Sequence, residues 1–442
     1  MTWTLTESRY LRFFSFSVFY VAQGLPIGLI TIALPAWLAE QGQGPGQIAS
    51  FVAITSLPWG FKLFVGPVMD RFSYLPMGRR RPWVVLAQSG LLVSMIAIGL
   101  VPDPANNIVL LITVAFIVNS FAAVQDVAVD GMAIDVLPVD ERGRANAFMG
   151  FGQVAGYAGS GALSGTLLVM FGITGAAFTL AFGIGLIFAL SIRVRERENE
   201  RILPWMPGEA SARSVALQAS DWASILGNLL KVMFLPASII LILVTLCWRV
   251  AGGFWLTAVP IIAVQQLGFA SSEYSQWTGA ASFIAACVGV LFGPLIDRTG
   301  ARAVLMGGML GMGLLFLFTG LSESLWTLAF FPVIILCLEA LFGQAIFISF
   351  IALHMNICWM RVAATQFAIY MAWANLARSI GAGIYGGIEV HFTPGQEFLL
   401  MAATCFVGGG LLLLVNLTAH QSRLDRLEET VIEPSISPAT SS

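Results

Sequence analysis

Charge is scarce in this chain. Of its 442 residues only 10% are Asp, Glu, Lys or Arg, while 57% are hydrophobic. An ordinary soluble domain carries about 25% charged residues. Spread over a water-facing surface, so few charges would leave wide apolar patches, so most of this surface faces lipid. The 22 cations and 24 anions sum to a net charge of only −2. That sum gives no expectation of a nucleic-acid partner, and any electrostatic signal must lie in where the charges sit.

Reactive groups are equally sparse. The five cysteines, Cys247, Cys287, Cys337, Cys358 and Cys405, fall in apolar runs. They show neither metal-ligand spacing nor a disulfide framework, and read as small buried side chains. His354, His391 and His420 sit at or beyond the ends of apolar runs and form no cluster. No metal and no cofactor are therefore expected. An intramembrane enzyme, such as an acyltransferase, would lack its nucleophile or metal constellation. No GxxxxGK[ST] phosphate loop occurs, which argues against ATP drive.

What the chain has is long apolar runs. With Gly, Pro and polar breaks as boundaries, twelve spans are predicted: about 13–39, 47–69, 83–101, 108–136, 145–170, 174–192, 233–263, 274–296, 303–320, 325–353, 363–388 and 396–418. Each is near the roughly 20 residues that cross a bilayer. The first run follows Arg9 and Arg12 and is about twice the length of a signal-peptide core, so it reads as a helix.

Arginine and lysine outside the spans alternate strictly. They occur at Arg9 and Arg12, in the 70–82 loop, at Arg142 and Arg144, through 193–231, at Arg298, Arg302 and Arg361, and at Arg423 and Arg426. The intervening loops near 40–46, 102–107, 171–173, 266–273, 321–324 and 389–395 contain none. The positive-inside rule then predicts a multi-pass membrane protein with the basic loops and both termini in the cytoplasm. The expected organisation is a six-helix half over 1–192, a cytoplasmic linker over 193–231 with room for a surface-lying helix, a second six-helix half over 232–419, and a disordered cytoplasmic tail over 420–442. The fold class is all-α, and a monomer suffices for it.

The halves repeat a phrase. GPVMDR at 66–71 closes the second span and GPLIDR at 293–298 closes the eighth. Gln125 precedes Arg142 by the same interval that separates Gln344 from Arg361. Two six-helix halves with internal likeness suggest a transporter whose site lies near the midplane between them.

These motifs resemble the major facilitator superfamily, whose signature Gly-x-x-x-Asp-Arg-x-Gly-Arg-Arg lies between helices 2 and 3 and recurs between 8 and 9. Gly66, Asp70, Arg71, Gly78, Arg79 and Arg80 match the first copy, with FSYLPM inserted before Gly78. Gly293, Asp297, Arg298, Gly300 and Arg302 match the second. The resemblance implies the major facilitator fold, with helices 1, 4, 7 and 10 lining a cavity. It also implies that the repeated motifs latch the two halves on the cytoplasmic side, with Gly66 and Gly293 permitting close helix approach.

The loop ending GRRRPW, with QGLPIGL at 23–29, QDVAVD at 125–130 and DVLPVDERG at 135–143, is similar to the muropeptide permease (AmpG-like) branch and its acetyl-CoA transporter relatives. A siderophore-uptake or acyl-CoA-type permease of the same fold, and a non-transporting sensor, are the competing readings. The chain departs from the branch where Gly131, Met132 and Ala133 follow Asp130 and where Phe151, Gly152 and Gln153 stand in helix 5. Both positions tend to carry a basic residue in that branch. An acidic residue expected near Gly252 or Gly253 is also missing.

Six charges lie well inside spans: Lys62, Asp126, Asp130, Arg249, Glu339 and Arg378. Each costs about 2.5–3.5 kcal/mol or more at the bilayer centre unless it pairs or faces water. Three acids against three bases also permit mutual pairing. Lys62, near the cytoplasmic end of its helix, can pair or snorkel. Asp126 and Asp130 are one turn apart on one face, so one is expected to hold a proton or act at a gate. Arg249 can grip a carboxylate or phosphate with its planar fork. Glu339 is the candidate proton exchanger, and Arg378, on helix 11, supports or lines the cavity. Gln23 and Gln344 are candidate polar contacts. The expectation is a secondary active transporter that moves a small organic solute, with protons as the coupling ion, by rocking its halves across the lipid bilayer.

Overall fold

Continuous Leu-, Ile-, Val-, Phe- and Ala-rich runs of about 20 residues satisfy their backbone in lipid as helices, since barrel strands are shorter and alternate. A computed structural model describes residues 3–138, 141–216, 222–289, 291–328, 330–359 and 362–432. Among them, nine helices are continuously long and apolar enough to cross a membrane. One of the nine lies in Arg142–Arg193, which is two spans bent at Gly172 (φ 65°, ψ −171°), a conformation open essentially to glycine. Ser271–Gly289 with Phe292–Thr299, and Ala363–Ile388, complete the twelve crossings. The latter helix is diluted by Gln366, Asn375 and Arg378 and so falls short on hydropathy alone.

The spans follow the sequence reading closely. Span 1 is Arg9–Glu40. Spans 2, 3 and 4 are Pro45–Arg71, Arg81–Gly99 and Ile108–Val136. Span 7 is Pro236–Gln266. Spans 9, 10, 11 and 12 are Ala301–Leu321, Phe331–Asn356, Ala363–Ile388 and Pro394–Leu412. Span 10 begins later than expected because Pro332 fixes its first turn, leaving Glu323–Leu325 as a short 3-10 turn. Span 12 ends earlier than expected, at Leu412.

The tail is a correction. Residues from 420 were expected to be disordered, yet Leu417–Ile432 is helical. Its Leu424 is buried against Val232, Trp359 and Val362, and His420 Nε2 lies 2.9 Å from the Ile357 carbonyl. Residues 433–442 lie outside the described residues. The linker is also structured. Thr4 pairs with Arg195, Leu5 donates to the Arg195 carbonyl at 2.9 Å, and short helices cover Ala212–Ala216 and Trp222–Met233.

Within the first half, spans 1 and 5 meet backbone to backbone. A Cβ on Gly24 would sit 2.5 Å from the Gln153 carbonyl, and one on Gly156 would sit 2.5 Å from that of Val21. Small residues at such positions let membrane helices approach closely. Between the halves, span 2 packs on span 11 through Ala49 against Gly386 and Gly60 against Leu376. Span 5 packs on span 8 through Ala158 against Gly279. Polar contacts reinforce the seam at the cation-free end. Ser271 donates to Glu40 at 2.5 Å, Gln276 to Thr166 at 2.9 Å, and Gln265 to the carbonyls of Ala39 and Gln43 at 2.9 and 3.0 Å. The seam reaches mid-depth, where Asn375 Nδ2 lies 3.5 Å from the Trp59 carbonyl.

Candidate functional site

In the first half the structure draws four of the expected residues into one cluster. Asp126 of span 4 is 5% exposed and accepts from Lys62 Nζ of span 2 and Gln23 Nε2 of span 1, both at 2.7 Å. Three helices therefore converge on a single carboxylate. Lys62 pairs rather than snorkels. One turn further along span 4, Asp130 accepts from the hydroxyl of Tyr20. The two acids thus have separate donors from other helices, a cation for one and a phenol for the other. Gln125 points elsewhere, donating to the Phe19 carbonyl at 2.7 Å. Tyr20 was not singled out from sequence, although it sits three residues before Gln23 and so shares its face of span 1.

The second half is built differently. The Arg249 guanidinium lies over the Trp248 ring, 4.6 Å from its centroid, and makes one long hydrogen bond of 3.4 Å to Asn375 Oδ1. Its Nε is buried without a partner, as is the Nε of Arg378. Neither arginine meets a carboxylate within ion-pair distance among the described residues. Glu339 likewise has no hydrogen-bond or ion-pair partner among them. The Arg249 and Arg378 charges act on one another, and Tyr157 of span 5 lies within electrostatic reach of both Arg378 and Glu339. Gln344 fills space against Gly289, where a Cβ would approach its side chain to 2.9 Å. Asn375 was missed in sequence; its signal is the three-residue spacing to Arg378, which puts both on one face of span 11.

Trp255 and Trp373 serve packing. Trp255 stacks on Phe316 at 5.6 Å, and Trp373 Nε1 donates to the Ile242 carbonyl at 3.1 Å.

The arginine-rich loop has its described partners inside its own half. Arg79 and Arg80 pair with Asp135 at 3.0 and 3.4 Å, at the end of span 4. The backbone N–H groups of Arg79 and Arg80 donate to the Glu196 carboxylate at 3.0 and 2.7 Å, satisfying the exposed start of span 3 from the linker. Arg81 donates to the carbonyls of Arg201 and Ile202 at 2.6 and 2.7 Å. Arg12 grips Glu141 through two bonds of 2.8 and 2.7 Å. Gly78 turns the chain here with φ 103°, and a Cβ on it would stand 2.8 Å from the Glu196 carboxylate. Burial raises the Glu196 carboxyl, opposed by its three backbone donors. Burial first, then the neighbouring Glu196, pushes Glu200 up to about 7.

One expectation for the motif changes. Gly66 marks no close approach: a Cβ there would meet Val127 at 3.8 Å, an ordinary contact. Of the latch between halves that the resemblance implies, the structure describes only the partners of Arg79 and Arg80, which are Asp135 and Glu196 of their own half and the linker. The rest of the motif, the side chains of Asp70, Arg71 and Asp297 and the surroundings of Gly293, lies outside the described residues. Arg298 is exposed.

Comparison with known proteins agrees with this architecture. The chain is 26% identical over 424 residues to the anhydromuropeptide permease of Escherichia coli (strain K12), covering 92% of this chain and 82% of that protein. Its fold matches a POT family transporter crystallised with 5-aminolevulinic acid, at a TM-score of 0.68 with 10% identity, over 91% of this chain and 94% of that one. It also matches a D-xylose-proton symporter, at a TM-score of 0.66 with 14% identity, over 90% and 97% of the two chains. The family model described as Major Facilitator Superfamily matches residues 14–384. With that match over most of its length, the chain belongs to the Major Facilitator Superfamily, a multi-pass membrane transporter family.

Proposed function

We propose that this transporter is a proton-coupled, muropeptide-permease-like symporter for a small organic solute, working by alternating access in a bacterial inner membrane. The observation that carries the reading is the pair of polar clusters. One wall belongs to each half, and both lie where the inter-half seam reaches mid-depth. By the distribution of arginine, the basic loops and both termini face the cytoplasm. The seam is fastened at the opposite, cation-free end, so the conformation described is the one that opens inward.

Roles follow from the partners. Lys62 neutralises Asp126, and with Gln23 the pair braces spans 1, 2 and 4. Asp130, nearer the cytoplasmic end and held by Tyr20, serves as a gate. Glu339 has no cation to neutralise it among the described residues, so a proton can settle its charge at each turn of the cycle. Arg249, Arg378 and Gln344 face the solute.

Purified protein in proteoliposomes, offered labelled anhydromuropeptide, tests this reading. Uptake above the equilibrium level under an inward proton gradient, with matched alkalinisation outside, is expected. Flux that ignores the gradient would remove proton coupling, and the absence of any flux would remove this solute class.

A further inference from the structure

Two guanidiniums at the heart of a membrane protein, close enough to repel and with no acid beside either among the described residues, need an explanation. A strut would pair them, as Asp126 pairs Lys62 at 2.7 Å in the other half. Glu339 is available in the same half and bonds to neither. Spans 7 and 11 are pressed together just here, with Gly253 against the Arg378 carbonyl and Gly381 against Val250. That packing holds Arg249 and Arg378 at a fixed separation, with little freedom for either to retreat to the interface. Trp248 beneath Arg249 and Asn375 beside it orient one fork, and both Nε donors are left buried and unused. A buried donor without an acceptor is costly, and a charged one more so. The missing component is an oxyanion with several acceptor atoms.

We infer that Arg249 and Arg378 together form the anion-binding subsite of the transport cavity, and that the solute carries a carboxylate or phosphoryl group which bridges the two forks. This rests on the transporter reading and adds the charge of the cargo to it. The planar guanidinium suits both anion types because its paired N–H donors match the oxygen spacing of either. Asn375 holds Arg249 and acts as a positioning residue. Glu339, within electrostatic reach of the same Tyr157 as Arg378, then couples naturally. Once protonated it no longer repels an arriving anion, so proton and solute load together.

The test uses full-length protein in nanodiscs, with the simplest oxyanions as probes. Acetate and inorganic phosphate are each titrated against chloride at constant ionic strength. Melting temperature and tryptophan fluorescence are read together, the latter because Trp248 lies under Arg249. At least one of the two probes should stabilise the wild type saturably, and which one does so assigns the carboxylate or the phosphoryl source. Arg249→Gln and Arg378→Gln should each weaken that response about tenfold or more, while Arg249→Lys, which keeps charge but loses the fork, should fall between. Without a probe the Gln variants should melt no lower than the wild type, since each removes an unpaired charge; a variant that melts well below it shows a strut and overturns the inference. The inference also fails if neither anion acts beyond chloride, or if the response survives in the doubly substituted protein. Because binding is read without a gradient, failure of proton-driven uptake would leave this result standing, and uptake of an uncharged solute alone would defeat it while leaving transport intact.

Discussion

The two halves share a fold and a repeated phrase but treat their buried charges in opposite ways. In the first half, Lys62, Asp126 and Asp130 each have a hydrogen-bond partner on another helix. In the second, Arg249, Arg378 and Glu339 meet no opposite charge among the described residues. A paired charge braces, and an unpaired one is free to take a ligand in the proposed reading. The first half thereby ties spans 1, 2 and 4 together at Asp126, while the second holds the charges that the proposed function assigns to solute and proton.

The largest effect that would break this contrast is on stability. Lys62→Met strands the Asp126 carboxylate and should lower folding stability by about 3–5 kcal/mol, read as a fall in melting temperature and in folded yield. Asp126→Asn should do the same by stranding Lys62. Glu339→Gln and Arg378→Gln should shift stability by less than about 1 kcal/mol, since no pair is broken. Equal losses in both halves would erase the distinction.

Gly78→Ala comes next. Its φ of 103° and the nearby Glu196 carboxylate leave no room for a side chain. A loss of about 1–2 kcal/mol is expected from the backbone alone. Protease sensitivity should rise within 72–80 and 195–209, while the intramembrane cluster is undisturbed. An unaltered digestion pattern would show that the clamp is dispensable.

A smaller effect concerns pH. Glu200 titrates near 7 in the folded protein, above its ordinary 4.5, because it is buried beside Glu196. Its stabilising contribution is therefore fully present below about 4.5 and is lost as pH rises through about 7. Hydrogen exchange in the 195–209 segment should quicken over that interval. In Glu200→Gln the change should be blunted. Exchange that is equally steep in the variant would assign the transition to another group. The smallest perturbation is a reporter fusion: within 193–216 it should score cytoplasmic, and at 102–107 external, and the reverse would invert the assigned direction of opening.

Much of this was legible beforehand. Span positions could be read because roughly 20 apolar residues leave little choice in lipid. The six intramembrane charges could be named because each violates that solvent. Their partners could not. Whether Lys62 reaches Asp126 or the interface depends on helix rotation and tilt, which a neutral sum of three acids and three bases leaves open. Tyr20 and Asn375 were passed over because a lone phenol or amide in a span is compatible with several roles. Glu196 and Glu200 sit in RVRERENER, which reads as a solvated charge run. Only the fold shows that run turned inward on the start of span 3. The tail helix carried a sparse signal, Leu417, Leu424 and Leu427 at helical spacing, outweighed by its polar and small-residue neighbours.

The most direct test of the central claim is a pair of flux measurements on Glu339→Gln in proteoliposomes loaded with a solute that the wild type accumulates. Gradient-driven uptake should be abolished while exchange of internal for external solute persists near the wild-type rate, because exchange moves no net proton. Retained accumulation, or uptake and exchange lost together in a normally folded protein, would contradict the assignment of proton coupling to this unpaired carboxyl.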